Sequence, residues 1–331
     1  MQFLQKYWFL IGLASAILLG HFFAKPLQPI SHQIWLRNAI VMSVMFLMAL
    51  PLPLATIMET VKNPWASLLA TTVNFGLFPL VAWLLAPTVD PMVRSGFLVV
   101  AATPCTLASA AVWTRRANGN DVTALMTTVI TNTLSFVLTP LIVYLLIRES
   151  ADIPFSDMVL KLGLLVLLPM LVAQLLSARK TVGKWAAQRK SSLSTIAQVG
   201  ILMIVLLGTS QTMLKLPTDQ LPEILGILGL VGICCILHLC ILVSGLILAR
   251  GFRCSRGNQI AVAISGSQKT LMIGILVCIQ LNVSLLPMVI YHAAQLTIDT
   301  FVADRFRARS SDELAGDNSP PPPGEASSSA R

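Results

Sequence analysis

Ten long apolar runs follow one another along the chain, and they restrict the fold more than any other feature of the sequence. A helix needs about 20 mostly apolar residues to cross the hydrocarbon core of a bilayer. Windows of that size occur, with soft boundaries, at residues 7–24, 36–58, 64–86, 95–114, 122–147, 158–177, 192–214, 221–249, 259–279 and 284–303. The sequence therefore predicts an all-α polytopic membrane protein with ten transmembrane helices, which we number as segments one to ten.

The charge content agrees with a surface that meets lipid. Only 11% of the 331 positions are charged and 55% are hydrophobic, whereas a soluble domain carries about a quarter charged residues. The net charge of +9 could suggest nucleic acid, but the positive residues lie in short gaps between apolar runs, where they act as topology signals. We expect a lipid bilayer as partner and no nucleic acid.

The basic residues also predict the orientation. With ten segments, both termini and the even-numbered loops share one side. Without Arg331 at the far end of the tail, that side holds 15 lysines and arginines, and the opposite loops hold 5. Cytoplasmic loops carry the Lys/Arg excess, so we expect an integral protein of the inner or plasma membrane with both termini in the cytoplasm. A signal peptide is the alternative for 7–24, but no small-residue cleavage site follows that run.

The segments divide into two sets of five, residues 1–150 and 151–305. Because five is odd, the second set enters the membrane in the opposite orientation, which is the arithmetic of an inverted repeat. Residues 306–331 are expected to form a disordered cytoplasmic tail, because from Ser310 onward the chain is rich in serine, proline and glycine.

The fourth segment of each set is short and interrupted by small and polar residues. The interruptions are Thr103-Pro104-Cys105-Thr106 in segment four and Ser265-Gly266-Ser267-Gln268 in segment nine. Paired interruptions at corresponding positions are a sequence indicator of a transporter binding site. A kinked packing helix is the alternative for either segment alone.

Lys269 lies in the middle of segment nine. Burying such a charge costs about 2.5–3.5 kcal/mol on insertion scales, and a snorkelling lysine belongs near a helix end. The residue is therefore expected either to stay charged beside an anionic substrate or to exchange a proton.

Segment five carries a polar stripe that spans an arc of about 140° on a helix. Its members are Thr127, Thr128, Thr131, Asn132, Ser135 and Thr139. The stripe predicts a cavity lining, with a helix–helix contact as the alternative. Segment three contributes Asn74, just before Gly76 and Pro79.

Segment ten places His292, Gln295 and Asp299 on one helical face, at i, i+3 and i+7. His292 and Gln295 are candidate binding residues, and Asp299 is expected simply to reach the membrane interface. His238 in segment eight is interpreted as a packing residue or an interhelical hydrogen-bond partner.

Four motifs in order resemble the bile acid:sodium symporter family, within the wider group of bile acid, arsenite and auxin carriers. They are TPCTLASAAVW followed by ANGND in segment four, SFVLTP in segment five, GSQKT in segment nine and YHAAQL in segment ten. The resemblance covers about residues 7–305. It is closest to a bacterial branch in which a lysine follows the GS pair of segment nine.

The resemblance implies a ten-helix fold with a core domain and a panel domain, in which helices four and nine are discontinuous and cross at mid-membrane. It further implies a sodium site near Ser109 and Thr128, and a second site at Asn74 and Gln268. The family's glutamate on helix nine falls at Ile264 here, one family asparagine at Ala110 and another at Lys269. A cation site without its carboxylate binds weakly, so these departures weigh against sodium coupling, and the lysine ammonium would replace one sodium ion.

The expected function is secondary transport of an organic anion, bile-acid-like or another amphipathic carboxylate, by alternating access. Na⁺ or H⁺ is the possible coupling ion; no cofactor, no catalytic residue and no enzyme activity are expected. The alternatives are an arsenite-type efflux carrier that uses Cys105, and a non-transporting membrane sensor or scaffold. The candidate binding residues are Ser109, Thr128, Asn132, Asn74, Gln268, Lys269, His292 and Gln295, with possible Na⁺ near Ser109, Thr128 and Gln268.

Overall fold

The computed structural model describes residues 2–52, 64–107, 109–147, 155–215 and 224–317, and these are helical with no strand among them. The first five segments contain α1 (Gln2–Phe22), α2 (Ala24–Ser31), α3 (Ile34–Ala49), α4 (Trp65–Thr72), a π-helical turn (Val73–Leu77), α5 (Phe78–Leu85), a 3₁₀ turn (Ala86–Thr88), α6 (Pro91–Ala102), α7 (Ala110–Arg116) and α8 (Asp121–Ile147).

The second five segments contain α9 (Phe155–Leu162), a second π-helical turn (Gly163–Leu167), α10 (Leu168–Ser177), α11 (Lys180–Gln188), α12 (Lys190–Lys215), α13 (Ile224–Gly251), α14 (Arg256–Ser267), α15 (Leu271–Leu281) and α16 (Leu286–Asp317). Helix α16 continues to Asp317, so residues 306–317 are helical where the sequence analysis predicts a disordered tail. The turn 313–315 consists of good helix formers, Glu-Leu-Ala, and residues 318–331 lie outside the described residues.

Six helical stretches in the described part of the chain are long and apolar enough to cross a bilayer. They are 65–88, 121–147, 155–177, 190–214, 225–251 and 256–281. A seventh arises if α1 and α2, which meet at a bend of 99°, are taken as one span, and α3 and α6 are shorter apolar helices. The protein is therefore an all-helical integral membrane protein.

Segment ten is not among the six, and its polar side chains explain why. His292, Gln295 and Asp299 of α16 lower the hydropathy of that helix, but all three are buried inside the protein. Polar groups at membrane depth are tolerated where they face protein instead of lipid.

Two groups of helices are evident from the packing. Helix α12 packs against α1, α2 and α3, and α10 packs against α3. Helix α14 packs against α4, α7, α8 and α13, and α16 packs against α6 and α13. The interior of the second group is the most buried part of the molecule, since every residue from 260 to 278 is buried.

Candidate functional site

Both interrupted segments are broken helices, as the sequence predicts. Helix α6 ends at Ala102 and α7 begins at Ala110, while α14 ends at Ser267 and α15 begins at Leu271. Thr103 is extended, with φ −79° and ψ 153°, because Pro104 disfavours helical geometry in the residue before it. The amide N–H of Thr270 donates to the Pro104 carbonyl at 2.9 Å, so the two breaks meet in the protein interior.

The Lys269 side chain ties the breaks together. Its Nζ donates to the carbonyl oxygens of Asn74, Ala101 and Thr103, each at 2.8 Å. The Phe78 ring centroid lies 4.2 Å from the same nitrogen, and the residue is fully buried. Cation–π contact with a desolvated ammonium contributes up to about 2 kcal/mol.

The number of acceptors around Lys269 Nζ favours an ammonium group. Three carbonyl oxygens at hydrogen-bond distance need three N–H donors, and an ammonium group has three whereas a neutral amine has two and a lone pair. A neutral amine would direct its lone pair at a carbonyl oxygen. The geometry therefore describes a tethered cation in a cage of backbone oxygens.

Asn74 closes this cage from the π-helical turn of segment three. Its Nδ2 donates to the Gln268 and Gly266 carbonyls at 3.0 and 3.2 Å, and its Oδ1 lies 3.2 Å from Lys269 Nζ. Single-turn π-helices are frequent at functional sites. Gly266 allows the approach, since a Cβ there would lie 2.7 Å from Val73 Cγ1.

Gln295 and His292 hold the backbone of the ninth break from α16. The Gln295 Oε1 accepts from the Lys269 amide N–H at 2.8 Å, and its Nε2 donates to the Lys269 carbonyl at 3.0 Å. The same Nε2 lies 2.9 Å from His292 Nδ1. Both candidate residues thus position the break and do not project into an open cavity.

A second polar cluster lies on the other side of the break. Gln268 Oε1 accepts from the Ser109 hydroxyl at 2.9 Å, and its Nε2 donates to Asp299 Oδ2 at 2.5 Å. His238 Nε2 lies 2.9 Å from Asp299 Oδ1, and His238 Nδ1 lies 2.9 Å from the Tyr291 hydroxyl. His238 is therefore an interhelical hydrogen-bond partner, as the sequence analysis expects.

Asp299 corrects one prediction. It was expected to reach the membrane interface, but it is fully buried between His238 and Gln268. Asp299 shares one helical face with His292 and Gln295, and this pattern could have indicated its burial. The structure buries the whole face, and Asp299 with it. Tyr291 also belongs to this cluster, and its position beside His292 gave no such signal.

The polar stripe of segment five packs against the break in segment four, which agrees with the helix–helix contact that is the alternative to a cavity lining. Asn132 Nδ2 donates to the Cys105 carbonyl and Thr139 Oγ1 to the Ala102 carbonyl, both at 2.8 Å. All six stripe side chains are buried. Asn132 and Thr139 supply donors to carbonyls that the break in segment four leaves without helical partners. Thr127, Thr131 and Ser135 instead donate to carbonyls of their own helix.

The implied sodium sites fit these residues poorly. At the second site, the Lys269 ammonium already binds both Asn74 oxygens. The Gln268 side-chain oxygen accepts from Ser109, and its nitrogen donates to Asp299. At the first, Thr128 offers only a neutral hydroxyl oxygen. Ile264 is buried and apolar at the position of the family glutamate. We therefore do not treat Gln268 as a cation ligand in this chain.

Cys105 lies inside the break of segment four and is fully buried. Its Sγ lies 3.7 Å from Thr128 Oγ1, and burial of this kind is typical of a small hydrophobic residue. The position gives no support to thiolate chemistry with arsenite.

A cavity of about 630 Å³ lies between the two groups of helices. One wall is a polar face of α11 and α12 with Gln188, Lys190, Ser191, Ser194, Thr195 and Gln198. The remaining lining is mostly apolar and includes Trp8, Leu47, Met48, Pro51, Leu52, Leu107 and Val112. Its volume lies in the range of small-molecule pockets, and its lining suits a molecule with one anionic and one apolar part.

Comparison with known proteins identifies the family of the chain. The model of the SBF-like CPA transporter family matches residues 7–308. The uncharacterized protein PA2026 of Pseudomonas aeruginosa is 28% identical over 318 residues, 93% of this chain and 95% of the relative. The putative symporter YfeH of Escherichia coli is 28% identical over 71% of this chain and 73% of its own length. The sodium/bile acid cotransporter 7-B of Xenopus laevis is 22% identical over 92% of this chain and 93% of its own.

These matches cover nearly all of the apolar segments and both helix breaks. They confirm the resemblance to the bile acid:sodium symporters that the four motifs indicate. The chain belongs to the SBF-like CPA transporter family and is a membrane transporter of that family.

Proposed function

We propose that the chain is a secondary carrier that works by alternating access, with ten membrane-spanning helices in two inverted five-helix repeats, 1–150 and 151–305. The observation that carries the proposal is the junction of the two broken helices at the Lys269 ammonium. Breaks at corresponding positions of both halves support the repeat. Irregular backbone at this depth is buried in protein, as a bilayer requires.

The two helix groups supply the moving parts of the cycle. Segments one, two, six and seven form the panel, and segments three, four, five, eight, nine and ten form the core that contains the breaks. The cavity of about 630 Å³ lies between panel residues such as Trp8 and core residues such as Leu107. Movement of the panel against the core would expose this cavity to either side in turn.

The substrate we propose is an amphipathic organic anion such as a bile-acid-like carboxylate. Lys190 and the serine, threonine and glutamine side chains of α12 offer a cation and donors, and the remaining lining offers apolar surface. The names of the vertebrate relatives include sodium/bile acid cotransport. The 15-to-5 distribution of basic residues supports an inner or plasma membrane protein with both termini in the cytoplasm.

Sodium is absent from the second cation site in this proposal, because the tethered ammonium of Lys269 replaces it. The test uses the full chain in proteoliposomes, with radiolabelled taurocholate as the probe and sodium replaced by choline. We expect uptake without sodium and its loss in Lys269→Ala. Lys161→Ala is the matched control, because Lys161 is an exposed lysine paired with Asp157.

Two results would overturn parts of the proposal. Sodium-stimulated uptake that survives Lys269→Ala would refute the role of the ammonium. Arsenite resistance of expressing cells that is abolished by Cys105→Ser would replace the organic anion by arsenite. Elution of each variant as a monodisperse peak from a sizing column separates lost transport from lost folding.

A further inference from the structure

A chain of buried polar groups connects α13 and α16 to the end of α14. The Tyr291 hydroxyl donates to the Ser267 carbonyl at 2.7 Å and lies 2.9 Å from His238 Nδ1. His238 Nε2 lies 2.9 Å from Asp299 Oδ1. The side chains of His238, Tyr291 and Asp299 are all fully buried, so water does not complete these contacts.

The three contacts need more hydrogens than Tyr291, a neutral His238 and an ionised Asp299 supply. Each contact requires one hydrogen between its two heavy atoms, and a carbonyl oxygen and a carboxylate oxygen are acceptors only. Tyr291 supplies one hydrogen and a neutral His238 supplies one. The third hydrogen must therefore be an additional proton, carried either on His238 as imidazolium or on the Asp299 carboxyl.

We propose that His238 and Asp299 form a proton-binding site, and that the bound proton is exchangeable and is the coupled ion of the carrier. The identity of the coupled ion rests on the proposed transport function, whereas proton binding itself does not. With the proton bound, the pair is electrically neutral, either as imidazolium with carboxylate or as imidazole with carboxylic acid. Neutrality lowers the cost of its complete burial.

Release of the proton changes one contact in a defined way. The site loses one H⁺ and leaves neutral His238 beside an Asp299 carboxylate. Charge-assisted hydrogen bonds are about twice as strong as neutral ones, so the remaining imidazole hydrogen stays on Nε2 and donates to the carboxylate. His238 Nδ1 then becomes an acceptor, and the Tyr291 hydroxyl turns to it and away from the Ser267 carbonyl.

This switch acts on the break in segment nine. Ser267 is the last residue of α14, and its carbonyl loses the Tyr291 donor when the proton leaves. On the other side, Asp299 Oδ2 is held by Gln268, which is held by Ser109 at the start of α7. The proton site thus contacts both broken helices.

Other titratable groups lie around the pair on each neighbouring element. Cys234 and Cys235 lie on α13, Cys105 in the break of segment four, and Tyr291 on α16. Lys269 stands across the ninth break and faces Cys105. When the proton leaves, the Asp299 carboxylate balances the charge of the buried Lys269 ammonium, whereas with the proton bound these groups together carry one positive charge.

The test compares the pH dependence of thermal unfolding in wild type and Asp299→Asn, with the full chain purified in detergent. Asparagine offers Nδ2 hydrogens to His238 and an oxygen to Gln268, so it imitates the proton-bound state without a titratable group. If the folded wild type holds one more proton than the unfolded chain, its stability falls as pH rises. We expect a falling unfolding midpoint in wild type and a flatter profile in Asp299→Asn.

Asp90→Asn is the matched control, because Asp90 is an exposed aspartate that caps α6 and asparagine caps equally well. It should retain the wild-type profile. Superimposable profiles of wild type and Asp299→Asn would overturn the proposal. Should Asp299→Asn not fold, His238→Gln serves instead, since its amide donates to the carboxylate without an extra proton; a wild-type profile in that variant likewise overturns the proposal.

Proton coupling is measured separately in proteoliposomes loaded with a pH-sensitive dye. Taurocholate added outside should change the lumenal pH in wild type and in Asp90→Asn, and not in Asp299→Asn. Taurocholate transport without any pH change would refute coupling while the carrier function stands. Absence of taurocholate transport together with a retained pH difference in unfolding would refute the proposed substrate and leave the proton site intact.

Discussion

Replacement of Lys269 by methionine tests whether the buried ammonium stabilises the junction of the broken helices. Methionine has a similar length and is apolar, so the change removes the charge with little change in volume. Three backbone carbonyls then lose their donor, those of Asn74, Ala101 and Thr103. A buried acceptor left without a partner costs about 1–3 kcal/mol, so the gross loss is about 3–9 kcal/mol.

The opposing effect is relief from burying a charge. A charged residue at the centre of a membrane helix costs about 2.5–3.5 kcal/mol on insertion scales. In the wild type, contacts with the carbonyl oxygens and the Phe78 ring compensate the cost of burying the charge. The variant has no buried charge, so this cost is absent. We therefore expect Lys269→Met to lower the free energy of unfolding by about 2–4 kcal/mol, because three lost partners outweigh one recovered desolvation.

The assay is thermal unfolding of the detergent-purified protein, followed by tryptophan fluorescence. Lys161→Met is the control, since an exposed i,i+4 pair such as Lys161 with Asp157 contributes only about 0.3–0.5 kcal/mol. An unfolding midpoint of Lys269→Met equal to or above that of Lys161→Met would refute the reasoning. It would mean that burying the ammonium costs more free energy than its contacts with the carbonyl oxygens and the Phe78 ring contribute.

Four further perturbations follow from the packing and the site. Gly96→Ala should destabilise the protein by at least about 1–3 kcal/mol, because its Cβ would lie 2.2 Å from the backbone oxygen of Ser284. Gly229 has open space around it, so Gly229→Ala should instead stabilise α13 by about 0.5–1 kcal/mol. Both are measured as shifts in the unfolding midpoint, and equal shifts would contradict the prediction. Thr139→Val should cost about 1–3 kcal/mol because it leaves the Ala102 carbonyl at the end of α6 without its donor, and a loss below that of an exposed threonine variant would contradict it. Sodium chloride should not raise the unfolding midpoint above that in choline chloride. If sodium did bind the folded protein, a concentration 100 times its dissociation constant would stabilise it by about 2.7 kcal/mol, and such a shift would contradict the prediction.

Much of the fold could be predicted from the apolar runs, because lipid imposes length and composition on each span. The predicted run 122–147 corresponds to α8, which the structure gives as Asp121–Ile147. The break at Pro104 was predictable for a local reason, since proline restricts the residue before it. The helix at 306–317 was not, because composition alone indicates disorder there.

The candidate site was predictable in its residues but not in its contacts. Lys269 was identified because a charge at mid-span demands an explanation, yet its partners are backbone carbonyls, which no residue pattern reveals. The stripe from Thr127 to Thr139 gives the same signal whether it faces water or another helix. The sequence predicts an interfacial position for Asp299, because the residue lies near the end of an apolar run. Its burial depends on tertiary packing with His238, which the sequence does not show.

The tethered ammonium has a consequence for how the carrier obtains energy. A sodium ion at the same oxygens could dissociate on either side of the membrane and so transfer the free energy of its gradient. The Lys269 ammonium stabilises the same junction, but it is covalently attached and cannot dissociate. It therefore cannot transfer the free energy of an ion gradient to the substrate. Uphill transport then requires an ion that does dissociate, and the proton shared by His238 and Asp299 is positioned for that purpose. It is linked to the break in segment nine through Ser267 and Gln268, and Gln268 links it to Ser109 at the break in segment four.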